Sequence, residues 1–219
     1  MAVSTNQVLV NSEIPKRFWN KTYTEEGASD PQAYAALREY LEHLEKNLAL
    51  GKGLTLTGPP GSGKSLIAAE VLQAAMDYLM KDVRLGQEIL IGKWVSADNY
   101  ARLLFKRMEL KDLMLKGDYD RYVERFTEVD RVLGLMRSRF QVLVLDDLGA
   151  EQQSDRTHFV EGELDRLIRQ RGDAGMPTIV TTNLSMDKLA ERYSESLRSF
   201  LREVSIVVPV AGEDKRARG

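Results

Sequence analysis

The sequence predicts an α/β domain: a five-stranded, mainly parallel sheet flanked by helices, with a helical insertion between its second and third strands. Three observations carry that reading. Short β-prone apolar segments alternate with amphipathic helical ones, which is the pattern of βα units and a parallel sheet. Gln141-Val142-Leu143-Val144-Leu145 is apolar without alternation, as a strand covered on both faces should be. The third is Gly58-Pro59-Pro60-Gly61-Ser62-Gly63-Lys64-Ser65, which has G-x-x-x-x-G-K-[ST] spacing between an apolar strand and a helix.

In chain order, residues 1–13 read as a loose lead-in, 14–209 as one domain and 210–219 as a polar, frayed tail. Ser29 or Asp30 caps a helix starting near Pro31, because proline suits a first helical turn. Tyr34, Leu37, Tyr40, Leu41, Leu44 and Leu48 then keep helical spacing. The first strand is about 53–57, and the helix after the glycine-rich loop runs from about Ser65 to Lys81, apolar enough to be mostly buried. A second strand follows Ile89, at Lys93-Trp94-Val95-Ser96, and Asp98 caps a helix to about Met108. Residues 110–139 are rich in charge but keep Leu113, Leu115, Tyr119, Tyr122, Phe126, Val129, Leu133 and Met136 at helical intervals. They form one or two packed helices with a turn at Gly117-Asp118. After the buried third strand, Ser154 or Asp155 begins a helix to about Gln170. Pro177 to Thr182 is the fourth strand, Met186–Arg192 and Ser194–Arg202 are short helices, and Ser205–Pro209 closes the sheet.

Composition removes several function classes. With 219 residues, 43% hydrophobic and 29% charged, the chain suits one ordinary globular domain. It has no cysteine, so disulfides, zinc ribbons and thiol nucleophiles are excluded. His43 and His158 are the only imidazoles, both in surroundings that suit surface or structural roles. A net charge of −2 supplies no global basic field, so any nucleic-acid contact needs a local patch. No apolar run is long enough for a membrane span and no secretory core is seen, which points to the cytoplasm.

Three strand exits carry the chemistry. In the glycine-rich loop the backbone can wrap a phosphate closely, since no side chain blocks the approach. Pro59 and Pro60 have no N–H, so the cradle comes from the amides of Gly61 to Ser65 at a helix N-terminus. Lys64 then neutralises the β- and γ-phosphates, and the Ser65 hydroxyl sits on Mg²⁺. The third strand ends in Asp146-Asp147, paired acids that a buried strand should not carry without something to neutralise them. A magnesium ion held by Asp146 beside a triphosphate would do so, leaving Asp147 to polarise a water. Asn183 ends the fourth strand, where an uncharged amide orients water or touches a γ-phosphate without competing for the metal. Taken alone, a Thr-Thr-Asn exit also suits a turn or a helix cap.

These segments in this order resemble the AAA+ ATPases of the DnaC/DnaI helicase-loader and IstB transposition-helper group. Ile14-Pro15-Lys16-Arg17-Phe18 also resembles that group's lead-in, and the likeness covers roughly residues 14 to 208. The resemblance implies an AAA+ P-loop core that binds ATP and Mg²⁺. Its phosphate-loop set is Gly58, Pro59, Pro60, Gly61, Ser62, Gly63, Lys64, Ser65 and Leu66, with Phe18 against the adenine. Asp146 and Asp147 become Walker B and Asn183 sensor 1. Aspartate where many relatives carry glutamate has a shorter reach, so turnover should be slow, with Glu151 a possible assistant to the water. The resemblance also implies a replicative helicase as partner, single-stranded DNA as ligand and self-association into an ATP-dependent ring or filament.

Two departures from the group stand out. Its members usually carry an N-terminal partner-gripping domain, whereas about thirteen residues precede Ile14 here, so partner docking is unassigned. Phe200 stands where the group's arginine finger is expected, leaving Arg198 and Arg202, four apart on one helix face, as the fingers to consider. Both equally suit solvated helix arginines. Arg216 and Arg218 are the only late sensor 2 residues. For DNA, Arg102, Lys106, Arg107, Lys111 and Lys116, interleaved with Tyr100 and Phe105, offer cations and stacking aromatics, or simply a solvated helix face. A transposition helper acting on duplex DNA, a nucleotide kinase and a non-hydrolysing ATP clamp remain the alternatives.

Overall fold

The computed structural model describes residues 5–24, 30–81, 90–151 and 157–212, with side chains from Leu9 onward. The five strands are β1 (Gly53–Thr57), β2 (Gly92–Ser96), β3 (Val142–Leu148), β4 (Thr178–Thr182) and β5 (Ser205–Pro209). They form one parallel sheet in the order β2-β3-β4-β1-β5. All five therefore end at the same edge. β4 lies between β1 and β3, so its exit is inserted between the phosphate loop and the paired acids.

The unalternating strand composition follows from two cores, one on each face. Val142 and Val144 pack with Leu54, Leu56 and Ile179 beneath α2 (Pro31–Glu42) and α4 (Lys64–Met80). Leu143, Leu145 and Val180 pack on the other face beneath α5 (Ala97–Leu115), α6 (Tyr119–Ser138), α7 (Thr157–Asp173) and α9 (Glu195–Val204). Successive strand residues point to opposite faces, so a strand covered twice must be apolar throughout.

Several local expectations change. Thr5–Ser12 is not a loose lead-in but a helix, α1, with Leu9 and Ser12 buried against the β2 side of the sheet. The long first helix breaks at His43, giving α2 and a separate α3 (Leu44–Ala49). Ser29 lies outside the described residues, and Asp30 caps α2: its Oδ1 accepts from the Gln32 amide at 2.9 Å, and Oδ2 accepts from the Ala211 amide at 2.7 Å. That contact and the Val210 amide on the Thr57 carbonyl (2.6 Å) hold the start of the expected tail against the domain. Ser96 rather than Asp98 caps α5, which continues past Met108 to Leu115. The turn at 116–118 falls as expected and folds α6 back onto α5. Ser154 and Asp155 lie outside the described residues, as do Arg216 and Arg218. Among the described residues no helix is long and apolar enough to cross a membrane.

At the opposite edge from the strand exits, Arg171 of α7 is fully buried with no carboxylate partner among the described residues. Its guanidinium donates to the carbonyls of Met136 (2.9 Å), Phe140 (2.9 Å) and Pro177 (3.1 Å) and to the Thr178 hydroxyl (3.0 Å). These bonds tie the end of α6 to the starts of β3 and β4. Burial pulls its pKa down to about 9, so it remains charged at neutral pH. Arg171→Met keeps the side chain's length and removes every donor, stranding buried carbonyls. Urea unfolding should show a loss of about 3–5 kcal/mol, with the nucleotide site unaltered in any variant that remains folded.

Candidate functional site

The phosphate loop is shaped by what its glycines exclude. Gly58 sits at φ 147°, where a Cβ would come within 2.1 Å of the Val210 carbonyl oxygen. Gly63 sits at φ 104° with the Tyr23 ring against it, and it caps α4. Both conformations are open to glycine and costly for other residues. The first turn of α4 therefore begins at Lys64, with its free amides directed into the loop. Lys64 is buried, and its ammonium donates to the carbonyls of Gly58 (2.8 Å) and Pro59 (2.7 Å).

Hydroxyls bind the loop to the acidic strand end. Ser65 Oγ donates to Asp146 Oδ1 at 2.9 Å, and Thr181 Oγ1 donates to the same oxygen at 2.6 Å. Thr181 Oγ1 also accepts from the Asp147 amide at 2.9 Å. The β3–β4 register slips between Leu145 and Leu148, and Asp147 adopts φ 56°. The slip lets two consecutive acids line one cavity instead of alternating across the sheet. Thr181 escaped the sequence reading, which took the Thr-Thr step only as the approach to Asn183. The available signal was a buried hydroxyl residue at a strand exit, where a partner is obligatory.

A cavity of about 350 Å³ joins Lys64, Ser65, Leu66, Phe18, Asp147 and Asn183, together with Pro60, Gly61 and Gly63. Gly58, Pro59 and Ser62 stand behind this wall, the first two holding Lys64 and Ser62 being fully buried. Phe18 lies on the β2 side, its ring 5.9 Å from that of Trp94. Among the described residues there is no cluster of three His, Cys, Asp or Glu able to hold a metal alone. Ser65 and Asp146 do bring two oxygens together, which suits a cation that completes its shell with phosphate oxygens and water.

Burial raises the pKa of Asp146; the Thr181 hydrogen bond lowers it, Asp147 raises it, and Ser65 and Arg17 lower it, leaving a net rise. For an acid with a raised folded-state pKa, the stability contribution is present below the unfolded value and is lost as pH rises through the folded one. The ionised carboxylate is thus a cost at neutral pH. Asp146→Asn, whose amide oxygen still accepts from Ser65 and Thr181, should melt higher than the parent at pH 7 without divalent cations. The gap should close as pH falls below the ordinary carboxylate value of 3.8.

Other expected residues are placed elsewhere. Glu151 is not an assistant to the water: its buried carboxylate accepts from the Gly149 amide (3.0 Å), Arg192 (2.9 Å) and the Tyr193 hydroxyl. Arg192 and Tyr193 close α8 (Met186–Arg192), so this pair clamps the exit of β3 to that helix. Arg198 is paired with Asp187 (2.6 Å) and Glu195, while Arg202 is exposed on α9. Neither lines the cavity. On α5, Arg102 pairs with Asp98 (2.7 Å), Lys106 with Glu109 (2.9 Å) and Arg107 with Asp130 (2.5 Å); Lys111, and Lys116 just past the helix end, are exposed. Tyr100 is fully buried, its hydroxyl accepting from Arg137 at 3.2 Å, and is unavailable for stacking on a base.

No family model matches the chain, and no curated protein matches it in sequence. Solved structures do. That of the DnaC helicase loader is 28% identical over 90% of this chain and 100% of its own, with a TM-score of 0.58. That of DnaI is 20% identical, covering 93% of this chain and 95% of its own, with a TM-score of 0.60. The chain has the AAA+ fold of the DnaC and DnaI structures. AMPPCP-bound DnaA from Aquifex aeolicus shares the fold at 20% identity and a TM-score of 0.57, this chain matching 53% of its length. In this fold the order β2-β3-β4-β1-β5 sets the exits of β1, β3 and β4 side by side, which brings the three motifs together.

Proposed function

We propose that this DnaC/DnaI-type chain binds and hydrolyses ATP as a switch in loading a replicative helicase onto single-stranded DNA. The observation that carries the ATP reading is the single cavity shared by Lys64, Ser65, Asp147 and Asn183. The loop amides and Lys64 hold the β- and γ-phosphates, and Ser65 with Asp146 would hold Mg²⁺, which supplies charge neutralisation at the transferring phosphoryl group. Asp147 and Asn183 orient the attacking water. The helicase-loading role rests on the likeness to the DnaC helicase loader. Bringing down a replicative helicase with the ATP-loaded protein from its native host tests it. Capture of a transposase, with preference for duplex DNA, would support the transposition-helper reading instead.

The DNA path we propose follows α5. Three of its cations carry internal partners, but those pairs are largely solvent-exposed. Such pairs are worth about 0–1 kcal/mol each, so a strand of phosphates can displace them. Binding should therefore require ATP, favour single strands and weaken with salt. Removing charge at Lys106, Arg107 and Lys111 together should shallow the salt slope by up to about 2 log units per log unit of salt. Nucleotide affinity should be unchanged. Equal slopes for parent and variant would take α5 out of the DNA path.

A further inference from the structure

The short 3-10 turn Lys16–Phe18 is fixed more firmly than its length suggests. Trp19 Nε1 donates to the Ile14 carbonyl at 2.8 Å, closing the turn on itself. Gln73 of α4 donates to the Phe18 carbonyl at 3.3 Å and accepts from the Asn20 amide at 2.9 Å. Phe18 packs on Trp94 of β2. The turn is thus pinned between the helix that carries Ser65 and the strand beside β3. Arg17 projects from it, its guanidinium 4.7 Å over the Phe18 ring.

The position of Arg17 is particular. The 350 Å³ cavity continues toward a second one of about 840 Å³, bounded by β2, α5 and the paired acids. Arg17 and Asp147 are the two residues that line both. In the smaller cavity the only cations among the described residues are Lys64 and Arg17. Lys64 is committed to the inside of the loop, whereas Arg17 has no ion-pair partner among the described residues. Its positive charge nevertheless reaches Asp146. A planar guanidinium with no carboxylate partner, steadied on an aromatic face beside the water-orienting acid, is suited to fork onto phosphate oxygens.

We propose that Arg17 is a cation supplied in cis to the terminal phosphate of the bound nucleoside triphosphate. This rests on the nucleotide reading above and adds a residue to it. The loop grips the phosphates from the α4 side, and Arg17 closes the γ-phosphate from the β2 side, next to Asp147. The arrangement makes the domain sensitive to the third phosphate before any neighbouring subunit contributes.

The test is equilibrium binding of ADP and of the non-hydrolysable triphosphate AMPPCP, in the presence of Mg²⁺, to the full chain and to Arg17→Gln and Arg17→Lys. Arg17→Gln should weaken AMPPCP binding by about 10- to 100-fold, the worth of charge-assisted bonds to phosphate, and leave ADP within about 2-fold. Arg17→Lys should fall between. Arg17 is exposed and unpaired, so melting temperatures without nucleotide should coincide. An equal loss for ADP and AMPPCP would place Arg17 on the base, the ribose or the fold, and no loss would remove it from the site; either overturns the assignment. A parent that binds neither nucleotide overturns the nucleotide reading and Arg17's role together, whereas a binding parent with an indifferent Arg17→Gln overturns Arg17 alone. Mixing supplies a second arm: a Lys64→Ala subunit, with its own Arg17 intact, should not rescue hydrolysis by Arg17→Gln. Rescue would mean that the cation acts across a boundary, against the proposal.

Discussion

Lys64→Ala should abolish ATP hydrolysis and weaken ATP binding on the order of 100-fold or more, since each charge-assisted bond to phosphate is worth about 1.5–3 kcal/mol. Two losses combine. The triphosphate loses the one cation inside the loop, and the carbonyls of Gly58 and Pro59 lose the donor that now holds them at 2.8 and 2.7 Å. Asp147→Asn should behave in the opposite way, keeping binding nearly intact while stopping turnover and trapping the ATP state. Asparagine tolerates the left-handed backbone that Asp147 adopts at φ 56°, so this variant should fold as well as the parent. Isothermal titration and phosphate release separate the two. An Asp147→Asn protein that hydrolyses ATP at the parent rate would show that this carboxylate does not orient the water.

How far the sequence disclosed this site depended on the range of the interactions. The phosphate loop is local, eight consecutive residues whose backbone needs are written in their identity, and it lies where expected. The unalternating apolar strand was equally local, because burial on both faces leaves no choice of composition. Contacts between distant residues were not legible. Glu151 looked like a free acid near Asp147 until Arg192, 41 positions on, claimed its carboxylate. Thr181 reads as ordinary strand until its hydroxyl is seen bridging Asp146 and the Asp147 amide. Tyr100 is a different case. With Ala101 and Leu104 it keeps the spacing of a buried helix stripe, and weighting that periodicity above its aromatic character would have kept it out of the DNA path.

Hydrolysis should depend on an arginine given across a subunit boundary, and removing that arginine should cost about 10³-fold or more, the usual worth of a finger supplied in trans. The loop, Asp147, Asn183 and Arg17 surround the cavity from within one chain, while Arg198 and Arg202 both lie away from it. On α9 the two differ. Arg198 would have to leave Asp187 and Glu195, whereas Arg202 is exposed on the same helix face, so Arg202→Ala should show the larger loss. The helix is not passive, because α8 before it is clamped through Arg192 and Glu151 to the loop leaving β3. A change at Asp147 therefore has a short physical route to α9 of the same chain, and so to whatever site α9 faces. Specific activity of the parent should rise with protein concentration as subunits meet. Mixing decides the matter: Lys64→Ala subunits, dead in their own pockets but with intact α9 arginines, should restore hydrolysis to Arg202→Ala subunits. Activity that stays flat with concentration and is not restored on mixing would mean the site is complete within one chain. Arg17 would then be the cation that completes it, and ring assembly would have no part in the chemistry.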